Sequence, residues 1–172
     1  MKKYTIIAGV DGVGKSSFVG ILKELNSDLG SINSNKINAE QIDAYIKNEE
    51  NFSEEVTHFD NHILKNILKA RENGYKIQIY YIGINTLTDS LVRIENRVRK
   101  GGRSAEVEEV TRHFNSRFEN FSKVIVCCDC CEIYDNENGF KKLADIKKSE
   151  IIPVNNSEKP LWYDELSKTL YK

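Results

Sequence analysis

One segment near the start of the chain, Gly9–Ser16 (GVDGVGKS), constrains the fold more than any other part of the sequence. It fits the pattern G-x-x-x-x-G-K-[ST], whose glycines permit a tight turn and a close approach of the backbone to a ligand. An apolar run of strand length, Tyr4–Gly9, precedes it, and apolar residues at helical spacing from Phe18 to Leu25 follow it. A strand, loop and helix in this order place main-chain N–H groups at the positive end of a helix. The segment therefore predicts a binding site for a nucleoside triphosphate.

The pattern also assigns tasks to individual residues of this loop. Lys15 is expected to reach the β- and γ-phosphates, and the Ser16 hydroxyl is expected to coordinate Mg²⁺. Main-chain N–H groups of the loop are expected to surround the phosphate oxygens. The candidate triphosphate-binding residues are Gly9, Asp11, Gly12, Val13, Gly14, Lys15, Ser16 and Ser17.

Length and charge limit the remaining possibilities. At 172 residues the chain suits about one domain, and we expect a single domain over residues 1–172. Its 25 Lys and Arg residues nearly balance 26 Asp and Glu residues, and the net charge of −1 is spread with both signs interspersed. Such a surface has no overall field that attracts nucleic acid or an anionic membrane. No apolar run reaches the length of a membrane span and no signal-peptide core follows Met1, so we expect a cytoplasmic protein.

The order of the predicted elements indicates an α/β fold. β-branched and aromatic residues mark strands at Tyr4–Gly9, Lys76–Ile84 and Cys131–Tyr134, and helical patterns lie between them. Strands alternating with helices predict a mostly parallel sheet flanked by helices, in the manner of a P-loop NTPase with a kinase-like fold. The C-terminal part predicts a β-hairpin over about residues 140–154 and a closing helix at Leu161–Leu170.

Four cysteines lie almost together, at Cys127, Cys128, Cys130 and Cys131. Neighbours this close cannot form the spread-out disulfides of a secreted protein, which agrees with a reducing compartment. A zinc site would need a second, separated pair of ligands. We therefore interpret the cluster as small apolar residues that enter a strand. His58 and His62 stand one helical turn apart and are interpreted as part of a helix surface.

Beyond the loop, several short segments occur in a recognisable order. They are Ile37–Glu40 (INAE), Asn73–Lys76 (NGYK), Tyr80–Asn85 (YYIGIN), Asn96–Gly102 (NRVRKGG) and Ile133–Asn136 (IYDN). Together with the phosphate loop they make the chain, up to about Phe140, resemble the zeta-toxin family and its zeta-toxin-like ATPase branch. The resemblance implies a kinase that transfers the γ-phosphate of ATP, with Mg²⁺, to a hydroxyl of a nucleotide-activated amino sugar, UDP-N-acetylglucosamine. Such toxins are often held in check by an antitoxin protein, which is the protein partner that the resemblance implies.

The resemblance also assigns residues outside the loop. Glu40, just after the second strand, matches the general base of the family. A carboxylate is well placed there because the carboxyl ends of parallel strands converge on the phosphate loop. Glu55 and Thr57 resemble residues that hold the sugar nucleotide, and Arg93 and Arg103 match arginines of a lid that grip phosphates.

The predicted lid region covers about residues 88–121. Its first helix has an apolar stripe that includes Val98, and the opposite basic face includes Arg97, which is interpreted as solvated surface. Gly101-Gly102 then forms a hinge. The next helix, predicted over Val107–Phe121, has Arg117 close to the centre of its apolar stripe. A cation directed at a core must find a partner, so Arg117 is either a phosphate contact or half of a buried ion pair.

Two other functions stay open. The block between Glu40 and Glu55 is shorter than in the fuller family members, and Val56, His58 and Phe59 replace polar residues around the acceptor. We therefore expect an altered or lost acceptor pocket, which would suit a non-catalytic nucleotide binder. The Asp-Gly pair inside the phosphate loop is also typical of thymidylate kinases, although no Asp-Arg-Tyr signature follows a later strand. A nucleoside or nucleotide kinase is thus the second enzyme hypothesis.

Overall fold

The computed structural model describes residues 1–25, 28–154 and 158–171. The strands are β1 (Lys3–Ala8), β2 (Ser31–Asn33), β3 (Phe52–Val56), β4 (Lys76–Gly83), β5 (Cys130–Asp135), β6 (Lys141–Lys147) and β7 (Glu150–Pro153). The helices are α1 (Lys15–Glu24), α2 (Ala39–Asn48), α3 (Asn61–Glu72), α4 (Leu87–Arg99), α5 (Val107–Asn115), α6 (Arg117–Ile125) and α7 (Leu161–Leu170). Among the described residues, no helix combines the length and apolar character needed to cross a membrane.

The described strands form one sheet in the order β2-β3-β1-β4-β5-β6-β7. The first five strands pair in parallel, and β6 and β7 continue the sheet as an antiparallel hairpin. β1 lies inside the sheet and is buried from Tyr4 to Ala8, as a strand covered on both faces requires. The predicted α/β fold, with a mostly parallel sheet, a C-terminal hairpin and a closing helix, is confirmed.

Parallel pairing brings the carboxyl ends of β3, β1 and β4 to one edge of the sheet. In register, Ala8 at the end of β1 pairs with Val56 on one side and with Tyr81 on the other. The chain leaves β1 at this edge, forms the phosphate loop and enters α1 at Lys15. Residues that follow β3 and β4 therefore face the loop.

Helix α4 packs directly on the phosphate loop. It begins after Thr86, whose hydroxyl accepts a hydrogen bond from the N–H of Asp89 at 3.1 Å. Ser90 and Ile94 form its buried face. Val98, predicted on the same apolar stripe, is 41% exposed, so the buried stripe of α4 is narrower than predicted.

The single helix predicted over residues 107–121 is two helices in the structure. α5 ends at Asn115 and α6 begins at Arg117, and Ser116 between them has φ −99° and ψ 6°. The Ser116 hydroxyl donates to the carbonyl oxygen of Arg112 at 2.9 Å, and such a bond to the preceding turn competes with regular helix geometry. Val107, predicted at the start of the apolar stripe, is 59% exposed. Apolar spacing alone could not show this break.

The cysteine cluster leads into β5. The strand begins at Cys130, and Cys131 is fully buried against the core. Burial raises the pKa of the Cys131 thiol, so this side chain stays protonated and packs as a small apolar group. The interpretation of these residues as part of a strand is confirmed for Cys130 and Cys131, while Cys127 and Cys128 precede it.

Trp162 of α7 closes the core above the end of β4. Its ring is 1% exposed and its Nε1 donates to Asp135 Oδ1 at 2.8 Å. The ring lies so close to Gly83 that a Cβ there would be 2.4 Å from two of its carbon atoms. Glycine at this position is therefore a packing requirement.

We expect Gly83→Ala to lower the free energy of unfolding by about 1–3 kcal/mol, because the buried indole must move to make room. Urea denaturation measures the change. The control is Gly20→Ala in α1, where a Cβ meets nothing within 4 Å. This control should keep the stability unchanged or raise it by up to about 1 kcal/mol. Equal unfolding midpoints for Gly83→Ala and the wild type would contradict the packing argument.

Candidate active site

The loop between β1 and α1 has the backbone conformation that a phosphate site needs. Gly12 has φ +74° and Gly14 has φ +99°, a region that only glycine adopts at little cost. Gly14 is also the N-cap of α1, and no described side chain caps the helix there. The N–H groups of the first turn are therefore left for a ligand, and the positive end of the helix dipole favours an anion.

Lys15 is folded against the loop to which it belongs. Its Nζ donates to the carbonyl oxygen of Gly9 at 2.7 Å and to a second loop carbonyl at 3.2 Å. Burial lowers the pKa of Lys15 to about 8; Asp11 and Glu55 oppose this shift, and the charge of Arg97 adds to it. Near neutral pH Lys15 thus carries a charge that the protein solvates poorly and that a phosphate would stabilise.

Ser16 and Glu55 bring two hard oxygen donors together beside the loop. The Ser16 hydroxyl donates to Glu55 Oε2 at 2.8 Å. Mg²⁺ prefers such oxygens and normally completes its shell with phosphate oxygens and water. Among the described residues, no group of three or more His, Cys, Asp or Glu side chains could hold a metal on its own. The two side chains therefore offer oxygen ligands of the kind that a magnesium ion bound together with a nucleotide would need.

Two cavities meet at this loop. The phosphate cavity, of about 230 Å³, is lined by Gly12, Gly14, Lys15, Ser16, Ser17, Glu55, Arg93 and Arg97. The side cavity, of about 470 Å³, is lined by Asp11, Lys15, Ser16, Ser34, Asn35, Glu55, Thr57, Arg97, Arg103, Ser104 and Ala105. A second cavity is therefore open beside the loop despite the short block after Glu40, and the residues of its described lining are polar except for Ala105.

Arg93 and Arg103 lie on different walls of the site. Arg93 lines the phosphate cavity, and its Nη2 donates to the carbonyl oxygens of Asn136 at 2.6 Å and Glu137 at 3.1 Å. Arg103 lines the side cavity, and its Nη1 donates to Asn35 Oδ1 at 3.3 Å. Arg103 therefore joins the segment after α4 to the loop after β2 across the side cavity.

Arg97, expected on a solvated face, lines both cavities. Its Nε donates to the carbonyl oxygen of Arg103 at 2.9 Å. The sequence contained a signal for it, because Arg97 stands one helical turn after Arg93 and so shares its face. The sequence could not show that the segment after Gly102 folds back over this side chain.

The phosphate loop is braced from two further directions. The Ser90 hydroxyl of α4 donates to the carbonyl oxygen of Asp11 at 2.5 Å, and Asn136 Nδ2, just after β5, donates to the carbonyl oxygen of Val13 at 2.8 Å. The Val13 side chain itself is fully buried, so this residue offers a ligand only its backbone. These contacts hold the loop in shape before any ligand binds.

A pair of histidines packs behind Asp11. His113 of α5 has Nδ1 3.4 Å from Asp11 Oδ2, and the ring of His58 stacks on His113 with centroids 4.6 Å apart. Burial, and then the charge of His113, lower the pKa of His58. The interpretation of His58 as helix surface is wrong, because α3 begins only at Asn61 and the ring packs beside the site.

A buried carboxylate fixes the loop after β2. Glu54 Oε2 accepts from the N–H of Ile37 at 2.8 Å, and its other oxygen bonds the Tyr4 hydroxyl. Burial raises the pKa of Glu54. His62 Nε2 lies 2.7 Å from the carbonyl oxygen of Ile37 and holds the other side of that residue. The loop that carries Asn35 to the side cavity is thus held from the core.

Of the comparisons with known proteins, the structural one identifies the fold. No family model matches the sequence. Over 57 residues the chain is 40% identical to an uncharacterized protein of Haemophilus influenzae, which covers 33% of this chain and 41% of that protein. A chain from the molecular and structural characterisation of the PezAT chromosomal toxin–antitoxin system of the human pathogen Streptococcus pneumoniae matches with a TM-score of 0.59 at 13% identity, over 99% of this chain and 85% of that one. This chain has a zeta-toxin-like fold. At this identity the likeness shows the fold alone.

Outside the phosphate loop, two predicted site residues of this zeta-toxin-like fold are absent from the described linings of both cavities. Glu40 is exposed in the first turn of α2, and the described linings of the two cavities do not include it. Arg117 is buried at the start of α6, where its Nη2 donates to Glu165 Oε2 at 2.6 Å. Its guanidinium also lies 3.9 Å from the ring centre of Phe114. Of the two expectations for Arg117, the structure shows the ion pair, which ties α6 to α7.

We expect triphosphate affinity to depend on the proton of Lys15. Free Lys15 loses its proton as the pH rises through about 8, whereas a bound phosphate would keep it protonated to higher pH. Binding above this pH then requires proton uptake, so the affinity should fall about tenfold per pH unit above about pH 8.5. Calorimetric titration with ATP in buffers of different ionisation enthalpy measures both quantities.

The matched control is Lys15→Arg, whose guanidinium stays charged throughout this range. Its affinity should be nearly independent of pH between 7 and 10, whatever its absolute value. Wild-type protein that takes up no proton at about pH 8.5 would contradict the lowered pKa of Lys15.

Proposed function

We propose that the protein is a Mg²⁺- and ATP-dependent phosphotransferase that moves the γ-phosphate of ATP to a hydroxyl of a small-molecule acceptor. The observation that carries this proposal is that the phosphate cavity and the side cavity share Lys15, Ser16, Glu55 and Arg97. Phosphoryl transfer needs a donor and an acceptor on opposite sides of the transferring group. A protein that only binds nucleotide needs the first cavity alone. The zeta-toxin-like fold supports the same class of reaction.

In this mechanism the loop holds the donor. N–H groups of the loop and the Nζ of Lys15 bind the β- and γ-phosphates, as the loop geometry favours. Ser16 would hold Mg²⁺, which neutralises charge on the phosphates when it is bound. Arg93, fixed through its bonds to the turn after β5, adds a cation to the lining of the phosphate cavity.

The acceptor hydroxyl must lose its proton as its oxygen bonds to the γ-phosphorus. At the same time the bond from that phosphorus to the bridging oxygen breaks, and its electron pair leaves with ADP. We propose Glu55 as the proton acceptor because it lines both cavities and so reaches the boundary between donor and acceptor. Glu40 is the second candidate, which rests on the resemblance to the family.

We propose a nucleotide-activated amino sugar, with UDP-N-acetylglucosamine first, as the acceptor. The resemblance in sequence supports this choice, and so does the polar lining of the side cavity, where Thr57, Asn35 and Ser34 offer hydrogen bonds to hydroxyls. Arg103 in the same cavity would attract the anionic part of such an acceptor.

The test is ADP release from Mg·ATP with and without a panel of UDP-sugars. We expect UDP-N-acetylglucosamine to stimulate release, and Lys15→Ala and Glu55→Gln each to lower kcat about 100-fold or more. Glu40→Gln tests the second candidate, an exposed carboxylate outside the described linings of the two cavities, and we expect it to keep a kcat near that of the wild type. A loss of activity in Glu40→Gln with a normal Glu55→Gln would reverse the assignment of the base. Turnover retained in Lys15→Ala would overturn the mechanism.

The same assay separates the two alternatives. A nucleoside or nucleotide kinase, favoured by the Asp-Gly pair at Asp11, would release ADP with dTMP or a nucleoside and with no sugar. A non-catalytic binder would bind Mg·ATP, and no acceptor would change its rate. The dissociation constant of Mg·ATP is therefore measured alongside each rate of ADP release.

An antitoxin is the protein partner that we propose, supported by the likeness in fold to a chain of a toxin–antitoxin system. We expect expression of the wild type to arrest growth of a bacterial host and Lys15→Ala to relieve the arrest, because the variant cannot hold the transferring phosphate. Growth curves at matched protein levels measure this effect. Equal arrest by both proteins would count against a toxic kinase activity.

A further inference from the structure

Of the three arginines that line the two cavities, Arg97 differs in position from Arg93 and Arg103. Arg93 lines the phosphate cavity and Arg103 lines the side cavity, whereas Arg97 lines both. The group that passes from donor to acceptor must cross the boundary between the cavities. Its charge in the transition state spreads over oxygens that point to the sides of the line of transfer. A cation at the boundary is therefore positioned for the transition state rather than for either ground state.

The other contacts of Arg93 and Arg103 support this distinction. Arg93 uses its Nη2 on two carbonyl oxygens, those of Asn136 and Glu137. Arg103 uses its Nη1 on Asn35. Among the hydrogen bonds of the described residues, the side chain of Arg97 is held through Nε alone. The protein therefore orients the guanidinium through Nε, while the two terminal nitrogens, whose spacing matches phosphate oxygens, keep their hydrogen-bond donors for a ligand.

The turn after α4, formed by residues 100–103, holds Arg97 in place; we call it the Arg97 seat. The N–H groups of Lys100 and Gly102 donate to the carbonyl oxygen of Arg97 at 3.1 and 2.9 Å. The carbonyl oxygen of Arg103 then accepts from Arg97 Nε at 2.9 Å. The chain therefore wraps around Arg97 and fixes both its backbone and the base of its guanidinium.

Gly102 makes this seat possible. A Cβ at Gly102 would lie 2.5 Å from Arg97 Cγ and 3.0 Å from the Arg97 carbonyl oxygen. Gly102 is not among the glycines with positive φ, whereas Gly101 before it has φ +83°. The requirement for glycine at 102 is therefore room for the stem of Arg97. Glycine at 101 instead serves the backbone.

The charge of Arg97 also acts on the rest of the site. It lowers the pKa of Lys15, after the larger effect of burial, which places the two cations close enough to interact. The repulsion between two such cations is relieved most where negative charge develops between them, as it does on the transferring phosphoryl group in the transition state.

We propose that Arg97 is a catalytic residue that contacts the transferring phosphoryl group at the boundary of the two cavities, and that Gly102 is a positioning residue that holds Arg97 there. The proposal rests on the proposed phosphotransferase function. In the step, the acceptor oxygen bonds to the γ-phosphorus, the bond to the bridging oxygen breaks with its electron pair on ADP, and the acceptor proton passes to Glu55. Arg97 gains and loses no proton in this step.

The first experiment compares Arg97→Met with Arg99→Met. Arg99 lies on the same helix but is exposed and paired with Glu95 at 2.6 Å, so its loss should change kcat by less than about threefold. Arg97→Met should lower kcat about 100-fold or more while the dissociation constant of Mg·ATP changes little. A normal kcat in Arg97→Met would overturn the proposal.

The second experiment tests the seat. Gly102→Ala should lower kcat and leave the Mg·ATP dissociation constant near that of the wild type, because only the boundary is disturbed. Gly20→Ala, where a Cβ meets nothing within 4 Å, should match the wild type in both. Thermal midpoints are recorded for all variants, so that a loss of fold is recognised. A Gly102→Ala protein with normal stability and normal kcat would overturn the role of Gly102.

A third measurement separates failure of this inference from failure of the proposed function, and it needs no acceptor. Aluminium fluoride with Mg·ADP imitates the transferring phosphoryl group, so a phosphotransferase should bind Mg·ADP more tightly when aluminium fluoride is present. Arg97→Met should abolish this gain without weakening Mg·ADP itself. A wild type without any gain would count against the proposed function. An equal gain in wild type and Arg97→Met would overturn the role of Arg97 while the proposed function stands.

Discussion

Gly9 is pressed so closely against β4 that a Cβ there would lie 2.4 Å from the carbonyl oxygen of Ile82. On its other side, its N–H donates to the carbonyl oxygen of Val56 at the end of β3 at 3.1 Å. The turn that follows β1 is therefore packed tightly between the neighbouring strands β3 and β4. This packing fixes the distances from the loop to Glu55 on β3 and to α4 after β4. A loop displaced by one side chain would lose its contacts with both.

The site holds its charges in an arrangement that suits a ligand better than the free protein. Lys15 points at loop carbonyls, Arg97 adds a second cation, and Glu55 shares the boundary with both. Buried or crowded charges cost free energy unless they are paired. In the proposed function, a phosphate chain and a metal ion supply the rest of this pairing. Such preorganisation means that little rearrangement is needed when the charge of the transition state develops.

Much of this arrangement could be predicted from the sequence, and there is a physical reason why the remaining features could not be. The phosphate loop was predictable because its glycines, Lys15 and Ser16 are consecutive and their roles depend on local geometry. Residue patterns predicted β1, β4, β5, the C-terminal hairpin and the closing helix, but not the short strands β2 and β3. The break at Ser116 escaped because one hydroxyl bonded to the preceding turn leaves no mark on apolar spacing.

The position of Arg97 and the shape of the side cavity could not be predicted from the sequence for a different reason. Both depend on segments far apart in sequence, such as Asn35 and Arg103, which the fold brings within 3.3 Å. A helical wheel shows which residues share a face, but it cannot show what covers that face. Likewise, the resemblance could name Glu55 as a site residue, but the sequence could not show its hydrogen bond with Ser16.

The ties between Asp11 and its neighbours have a thermodynamic consequence. Its carbonyl oxygen is held by Ser90 on α4 and its carboxylate lies beside His113 on α5, so the loop and these helices share contacts that cannot change independently. In the proposed function, any molecule that binds α4 or α5 and shifts these contacts alters nucleotide affinity, and nucleotide alters the affinity for that molecule by the same factor. Under that proposal, α4, α5 and the phosphate loop share one binding equilibrium, so a ligand bound at one of them changes the affinity at the others.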